Sequence, residues 1–535
     1  VSAETISLLT PEIALAAVAV LIYLGGAFFD ARDGWAWIAL GGILLAALAL
    51  FVSAPVDGSD GPIVVDRLAY CVRWLALGLG ALCILLASRP LKTTGTPEYI
   101  GSLLLAVVGM MIVATAGDLV LLFLGLELVS IPTYIFLYLG RPEAPGQEAT
   151  AKYFFLSILA SAMLLYGFSF LYGAAGATDL AVIRDRLGEV AAGDPRGLIA
   201  MAKLSLVLIF AGLGFKIAAV PFHFYAPDVY QGTTNANAGL LSVVPKLAGL
   251  VALVRVVGIG MQAIDAHPWR IALAISVVTM TFGNLMALLQ TNLRRLLAYS
   301  SIAHAGYLLI GLAVYSATGN PSGGSQPAGA FDGLGALLFY LLVYALATIG
   351  TFAAVTCLGR EEGEVEQIEQ LAGLGWTEGP KRRLLAWAIG LFMFSLAGIP
   401  PLAGFWGKLA LFAGALGVGG DDPGLRFWFV GLAIIGVLNA AVAAAYYLRI
   451  VGVMFFRLPL GTPALRKQAG GVFSAVMLCA LLVLAIGLFP KPCFRFTNAA
   501  SPRNRSAQVA GTPSLPRDHF QRADATRPSL GTVSD

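Results

Sequence analysis

The chain has 535 residues, 58% of them hydrophobic and 12% charged, with a mean hydropathy of +0.82. A soluble domain carries roughly 25% charged residues, so a cytosolic globular enzyme is excluded. The net charge of +4, from 34 basic and 30 acidic side chains, leaves no basic surplus for binding nucleic acid.

Runs of about eighteen or more mostly apolar residues read as membrane-spanning helices. Fourteen such runs follow one another, near 11–29, 35–54, 68–88, 99–116, 119–139, 151–174, 198–221, 236–258, 271–290, 296–316, 332–358, 384–414, 427–455 and 471–490. They are too long for the alternating strands of about ten residues that build a membrane barrel. The expected fold is therefore an all-α polytopic membrane protein of about fourteen spans. Its 62 Gly suit helix packing in lipid, where small residues let backbones approach. No basic stretch precedes the first run, which reads as a retained span and not a signal peptide. The five cysteines are scattered without a C-x-x-C pair, and read as small apolar residues, not as cluster, zinc or disulfide ligands. Past Lys491 the composition turns to Pro, Ser, Arg, Thr and Asp, so 493–535 reads as a disordered polar tail.

Loops after odd-numbered spans hold fourteen basic residues, Lys381, Arg382 and Arg383 among them, against eight after even-numbered spans. The excess places the odd loops in the cytoplasm and both termini outside.

Charged groups at membrane depth cost about 2.5–3.5 kcal/mol each on insertion scales, so each demands a reason. Glu127 lies inside the fifth span, Lys216 in the seventh, Lys246 near the middle of the eighth, His304 in the tenth and Lys408 in the twelfth; Lys152 lies near the start of the sixth. Blander explanations stand beside each. Lys152 can snorkel to the interface, Glu127 and Lys216 can form a purely structural pair, and His304 can be a packing residue. A single pair does not account for Lys246 and Lys408, and Lys246 is too deep to reach either surface. Together Glu127, Lys216, Lys246, His304 and Lys408 resemble a proton relay, with Lys152 a weaker candidate, since burial makes a lysine's proton removable near neutral pH.

Two helices read as broken. Pro221 and Pro227 interrupt the seventh, and Pro400 and Pro401, flanked by Gly398 and Gly404, the twelfth. Proline removes a backbone donor and clashes one turn back, and freed carbonyls survive in lipid only where protein or water satisfies them. Two such breaks five spans apart, each beside a lysine, suggest paired transporter repeats. Plain packing kinks are the alternative.

At these residues the chain resembles the antiporter-like membrane subunits of respiratory complex I, from about Tyr99 to Arg457. The motifs are Phe123–Pro132 around Glu127, Glu148–Phe154 around Lys152, Lys216–Gly232, Asn292–Tyr307 and Gly398–Lys408. The run Pro227-Asp228-Val229-Tyr230-Gln231-Gly232 favours the subunit N family over its sisters. The resemblance implies two inverted five-helix repeats: 99–258 and 271–457, preceded by a three-helix segment 1–98 and followed by a last span, 458–492. It implies a Glu127–Lys216 pair, Lys246 as central relay group and Lys408 on the exit side. It also implies a bacterial inner membrane and partnership with other membrane subunits, adjacent antiporter-like ones included. NADH, FMN, iron–sulfur clusters and quinone would belong to partner subunits, with no cofactor here. In place of the small residues and prolines usual after Gly232, Thr233-Thr234-Asn235-Ala236-Asn237 stands, which questions how firmly the eighth helix begins. The expected function is proton translocation driven by quinone reduction elsewhere. A subunit of a multi-subunit cation/proton antiporter and a non-conducting scaffold are the alternatives.

Overall fold

The computed structural model describes residues 2–29, 34–53, 57–88, 95–193, 197–264, 267–318, 332–360, 363–377, 379–420, 422–459, 464–465 and 470–501. The chain is helical almost throughout. A short α1 (Ala3–Leu8) leads into α2 (Thr10–Phe28) and α3 (Trp35–Val52). The hairpin of β1 (Gly58–Asp60) and β2 (Ile63–Val65) then turns the chain into α4 (Arg67–Leu86). Next come α5 (Thr96–Thr115), α6 (Leu119–Gly140), α7 (Ala144–Ala175), a shorter α8 (Leu180–Gly193), α9 (Gly197–Ile217) and α10 (Tyr225–Gly232). The middle of the chain forms α11 (Asn235–Leu253), α12 (His267–Leu288), α13 (Leu293–Thr318) and α14 (Gly333–Cys357). It closes with α15 (Pro380–Ala397), α16 (Ala403–Leu416), α17 (Pro423–Phe456), α18 (Gly470–Leu488) and α19 (Lys491–Asn498). A π-helical stretch, Val254–Gly260, continues α11.

Among the described residues thirteen helices are long and apolar enough to cross a membrane, and the protein is a multi-pass membrane protein. They match thirteen of the fourteen expected spans. The twelfth, 384–414, is two pieces, α15 and the shorter apolar α16, separated by Gly398–Leu402. The inner helices are α11, α13 and α14, buried nearly all round; α2, α7 and α17 show most of their surface outward. That ordering follows composition: α11 and α13 carry the polar side chains that lipid excludes.

The two helix breaks share one geometry. In the seventh span Ala218 turns left-handed (φ 57°). The Ala218 N–H donates to Phe215 O (3.0 Å) and the Ala219 N–H to Gly214 O (2.8 Å). In the twelfth Gly398 turns left-handed (φ 91°), and the N–H groups of Gly398 and Ile399 both donate to Phe394 O at 3.1 Å. Each is a helix C-terminus closed by a bond five residues back, which takes up end carbonyls that otherwise lack partners. Each is followed two residues later by a cis X–Pro bond, Val220–Pro221 and Pro400–Pro401. Pro227 falls inside α10.

Two expectations need correction. The tail does not begin at residue 493: Lys491–Asn498 forms α19, with Phe494 stacked on Phe339 of α14 at 3.9 Å and Thr497 buried. Its two phenylalanines supply local apolar surface that the polar average of the segment hides. Residues 502–535 lie outside the described residues. The start of the eighth helix is firmly tied. Thr234 caps α11, and the Asn237 amide donates to Phe136 O (2.9 Å) and Thr233 Oγ1 (3.1 Å) while accepting from Tyr99 OH (2.5 Å). Buried amide and hydroxyl bonds replace proline stiffness there.

Candidate functional site

Lys216, Lys246, His304 and Lys408 are each no more than 4% exposed. Such groups survive inside a membrane protein only if every donor finds an acceptor, and the structure supplies these in two clusters.

The first cluster joins α6, α7 and α9. Lys216 Nζ lies 3.7 Å from Glu127 Oε1, and donates to Ser130 Oγ at 2.6 Å, Ser157 Oγ at 3.2 Å and Ser161 Oγ at 3.4 Å. Ser161 in turn donates to Glu127 Oε1 at 2.6 Å, bridging the pair. Lys216 is thus held both by its carboxylate and by a cage of three hydroxyls. Glu127 is partly open to the outside of the bundle at 23% exposure, whereas Lys216 is sealed. At 3.7 Å and an effective dielectric of 20 the attraction is about 4–5 kcal/mol.

The second cluster joins α11, α13, α14, α15, α16 and α17. Lys246 Nζ donates to the backbone carbonyl and to Oγ of Ser301, lies 3.5 Å from Tyr344 OH and sits over the Tyr344 ring at 5.0 Å. Tyr344 OH donates to Ser301 Oγ at 2.8 Å. The His304 ring stands 4.9 Å from that of Tyr344, with Nδ1 2.6 Å from Tyr340 OH and Nε2 2.9 Å from Tyr447 OH. Both ring nitrogens are therefore engaged with groups that can give or take a proton. Lys408 Nζ lies over the Tyr307 ring at 5.1 Å, and Tyr307 packs edge-on against Tyr340. From Lys246 through Tyr344, His304, Tyr340 and Tyr307 to Lys408 successive side chains are neighbours: hydrogen bonds join Lys246 to Tyr344 and His304 to Tyr340, while Tyr344–His304, Tyr340–Tyr307 and Tyr307–Lys408 meet through their rings.

Lys408 also closes the broken helix. It donates to Leu396 O (2.8 Å) and Ala397 O (2.9 Å), the two end carbonyls of α15 left over by the left-handed turn. A cation there also meets the negative end of the helix dipole. Gly398 makes room, since a Cβ on it would lie 3.1 Å from Lys408 Cδ.

Between the clusters α9 packs against α11. A Cβ on Gly249 would sit 2.8 Å from Ile217 Cγ2 and 3.0 Å from Lys216 Cβ, so only glycine lets Lys216 approach the helix of Lys246 this closely. Among the described residues no hydrogen bond joins the two cages.

Lys152 belongs to neither cluster. It is at the bundle surface, 2.8 Å from Glu148 and 3.5 Å from Asp228 of α10, where snorkelling would put it. Sequence reasoning missed the hydroxyl partners. The available signal was helical spacing: Ser157 and Ser161 are four apart on α7, Tyr340 and Tyr344 four apart on α14, and Ser300, His304 and Tyr307 share one face of α13.

A multi-span helical bundle with two like-built helix breaks and buried lysines at each defines a membrane protein of the antiporter type. The family described as "NADH:quinone oxidoreductase/Mrp antiporter, TM" matches residues 116–422. NADH-quinone oxidoreductase subunit N of Granulibacter bethesdensis is 37% identical over 455 residues, covering 84% of this chain and 89% of that one. Subunit N of Rhodospirillum rubrum is 36% identical over 486 residues, 89% of this chain and 92% of its own. A chain in the structure of Thermus thermophilus respiratory complex I with bound aureothin superposes with a TM-score of 0.73 at 33% identity, covering 91% of this chain and 98% of that chain. A chain of the Mrp complex from Dietzia sp. DQ12-45-1b shares the fold at a TM-score of 0.74 but only 22% identity. The chain belongs to the NADH-quinone oxidoreductase subunit N family.

Proposed function

We propose that the chain is a proton-translocating membrane subunit of a bacterial NADH-quinone oxidoreductase, lying in the inner membrane beside other membrane subunits, adjacent antiporter-like ones included. NADH, FMN, iron–sulfur clusters and quinone sit in those partners, and quinone reduction there drives this subunit. The gathering of Lys246, His304 and Lys408 in one buried cluster, with tyrosine and serine side chains between them, carries the reading. A structural ion pair needs one acid and one base; here two lysines and a histidine stand in the second cluster with no carboxylate partner among the described residues. Neutral hydroxyl and carbonyl partners leave a lysine able to release and regain its proton.

Breaking the Glu127–Lys216 pair, by a charge arriving at the partly open Glu127, frees the Lys216 proton to move towards Lys246. Lys408, on the far side of His304, passes it outward. Each proton moved against the membrane potential costs about 2.3 kcal/mol per 100 mV, which the 4–5 kcal/mol in the pair matches in order. The two repeats, 99–258 and 271–457, then act as successive half-paths, and the two like-built breaks support that division. The subunit N reading is preferred to the cation/proton antiporter because the likeness to subunit N relatives is 36–37% over most of the chain.

Lys246→Met in the whole complex, reconstituted in vesicles, tests the proposal. Assembly stays near normal, while acidification per NADH oxidised, and the coupled quinone reduction, fall. Lys246→Arg fails too, because Arg holds its proton near neutral pH. Full pumping by the Met variant removes the relay and leaves a scaffold.

A further inference from the structure

At the bundle end where α10 meets α13, basic side chains come with partners. Lys152 pairs with Glu148, Arg294 with Glu364 and Glu366, Arg295 with Asp228, and Arg457 with Glu369, while Arg449 donates to backbone carbonyls. Lys381, Arg382 and Arg383 are the exception: three consecutive cations in the first turn of α15, with no carboxylate or carbonyl partner among the described residues. Their position makes this costly, because the start of a helix repels positive charge. Apart from its chain neighbours, nothing lies within 4 Å of a Cβ built on Gly379.

Directly beneath lies an apolar, aromatic wall. Arg383, Leu384 and Trp387 share one exposed face of α15, and Trp387 packs on Phe455 with ring centres 5.1 Å apart. The Trp376 indole N–H donates to Phe455 O at 2.6 Å, while its ring is 75% exposed. Tryptophan with one polar and one apolar edge settles at the headgroup level of a bilayer. Orienting a membrane protein requires cations at this end, but neither an open, unpaired triad nor two tryptophans bracketing it.

We propose that Lys381, Arg382 and Arg383 bind the headgroup of an anionic phospholipid whose acyl chains lie along Leu384 and Trp387, with Trp376 alongside. The phosphodiester supplies negative charge that no described carboxylate gives the triad, and the chains cover the exposed apolar face beneath it. A free phosphate would use the cations and ignore the wall; an acidic segment of a neighbouring subunit would do so as well.

The experiment uses the whole complex in nanodiscs of phosphatidylcholine, with or without phosphatidylglycerol. It reads thermal midpoint and, by mass spectrometry, retained phospholipid. The wild type gains stability from phosphatidylglycerol and keeps it through purification. The triple variant Lys381→Gln, Arg382→Gln, Arg383→Gln loses both responses, its affinity falling roughly a hundredfold at about fivefold per cation. Arg382→Lys with Arg383→Lys keeps the charge and retains the lipid. Trp387→Ala, which keeps every charge, weakens phosphatidylglycerol several-fold and guards against a triple variant that fails to assemble. An equal response of wild type and triple variant overturns the proposal. So does an effect reproduced by inorganic phosphate, or a triad whose loss releases a neighbouring subunit whatever the lipid.

Discussion

Lys408 holds two positions at once, and substitution can separate them. Of the last four carbonyls of α15, Phe394 and Ser395 are taken by the left-handed turn, and Leu396 and Ala397 accept, among the described residues, from Lys408 at 2.8 and 2.9 Å. Lys408→Met strands both in the buried interior of the bundle. Leaving a buried acceptor unpaired costs about 1–3 kcal/mol, so the loss should come to about 2–6 kcal/mol, softened if water enters. Lys408→Arg keeps a cationic donor for both carbonyls but cannot release a proton near neutral pH. Thermal melting of the purified complex and acidification per NADH oxidised by vesicles, with an uncoupler as control, read the two roles separately. The Met variant should lose melting temperature and pumping; the Arg variant should lose only pumping. An Arg variant pumping at the wild-type ratio refutes the relay role, and a Met variant melting like wild type refutes the capping argument.

The other expectations are briefer. Gly249→Val places methyl groups where Ile217 and Lys216 already lie within 3 Å of a first Cβ; overpacking of about 1–3 kcal/mol should lower the melting temperature and impair pumping, and unchanged pumping would detach the α9–α11 seam from the relay. Truncation after Ser501 should leave assembly intact, whereas truncation after Phe489 removes α19 with its Phe494–Phe339 stack and should destabilise the complex, as subunit retention on native gels will report. A cysteine at Arg382 should react with an impermeant thiol reagent only from the cytoplasmic side, since loop charge puts that end inside; labelling from outside reverses the assigned orientation.

Apolar length and composition made the spans legible, because in lipid every backbone polar group must be satisfied within its own helix and hydropathy alone marks where that happens. Proline and glycine marked both breaks, although only the structure shows that Ala218 takes the left-handed turn at the first break that Gly398 takes at the second. The charged residues stood out because a charge in an apolar run is expensive. Their hydroxyl partners did not, since serine and tyrosine cost little in a membrane helix wherever they point. Ser161 is indistinguishable in sequence from any helix serine until α7 is laid against α6. The order of α19 was hidden for the opposite reason, two phenylalanines being too few to lift a polar average.

The contrast between the two clusters bears on how a proton could be driven one way. Lys216 has a carboxylate whose charge holds it, and that carboxylate reaches the outside of the bundle, where a neighbour's charge can compete for it. Lys246 and Lys408 have only neutral partners, so no equivalent handle reaches them from outside among the described residues. In the proposed relay an external signal acts first at Glu127, and the second cluster responds to what the first releases. Gly249 sets how closely the two approach, and with no hydrogen bond across that seam the transfer requires a rearrangement there. In that proposal, a drive applied at the partly exposed pair, a cluster of neutral partners beyond it and a seam that must move between them together give the path a direction that the buried lysines alone would not.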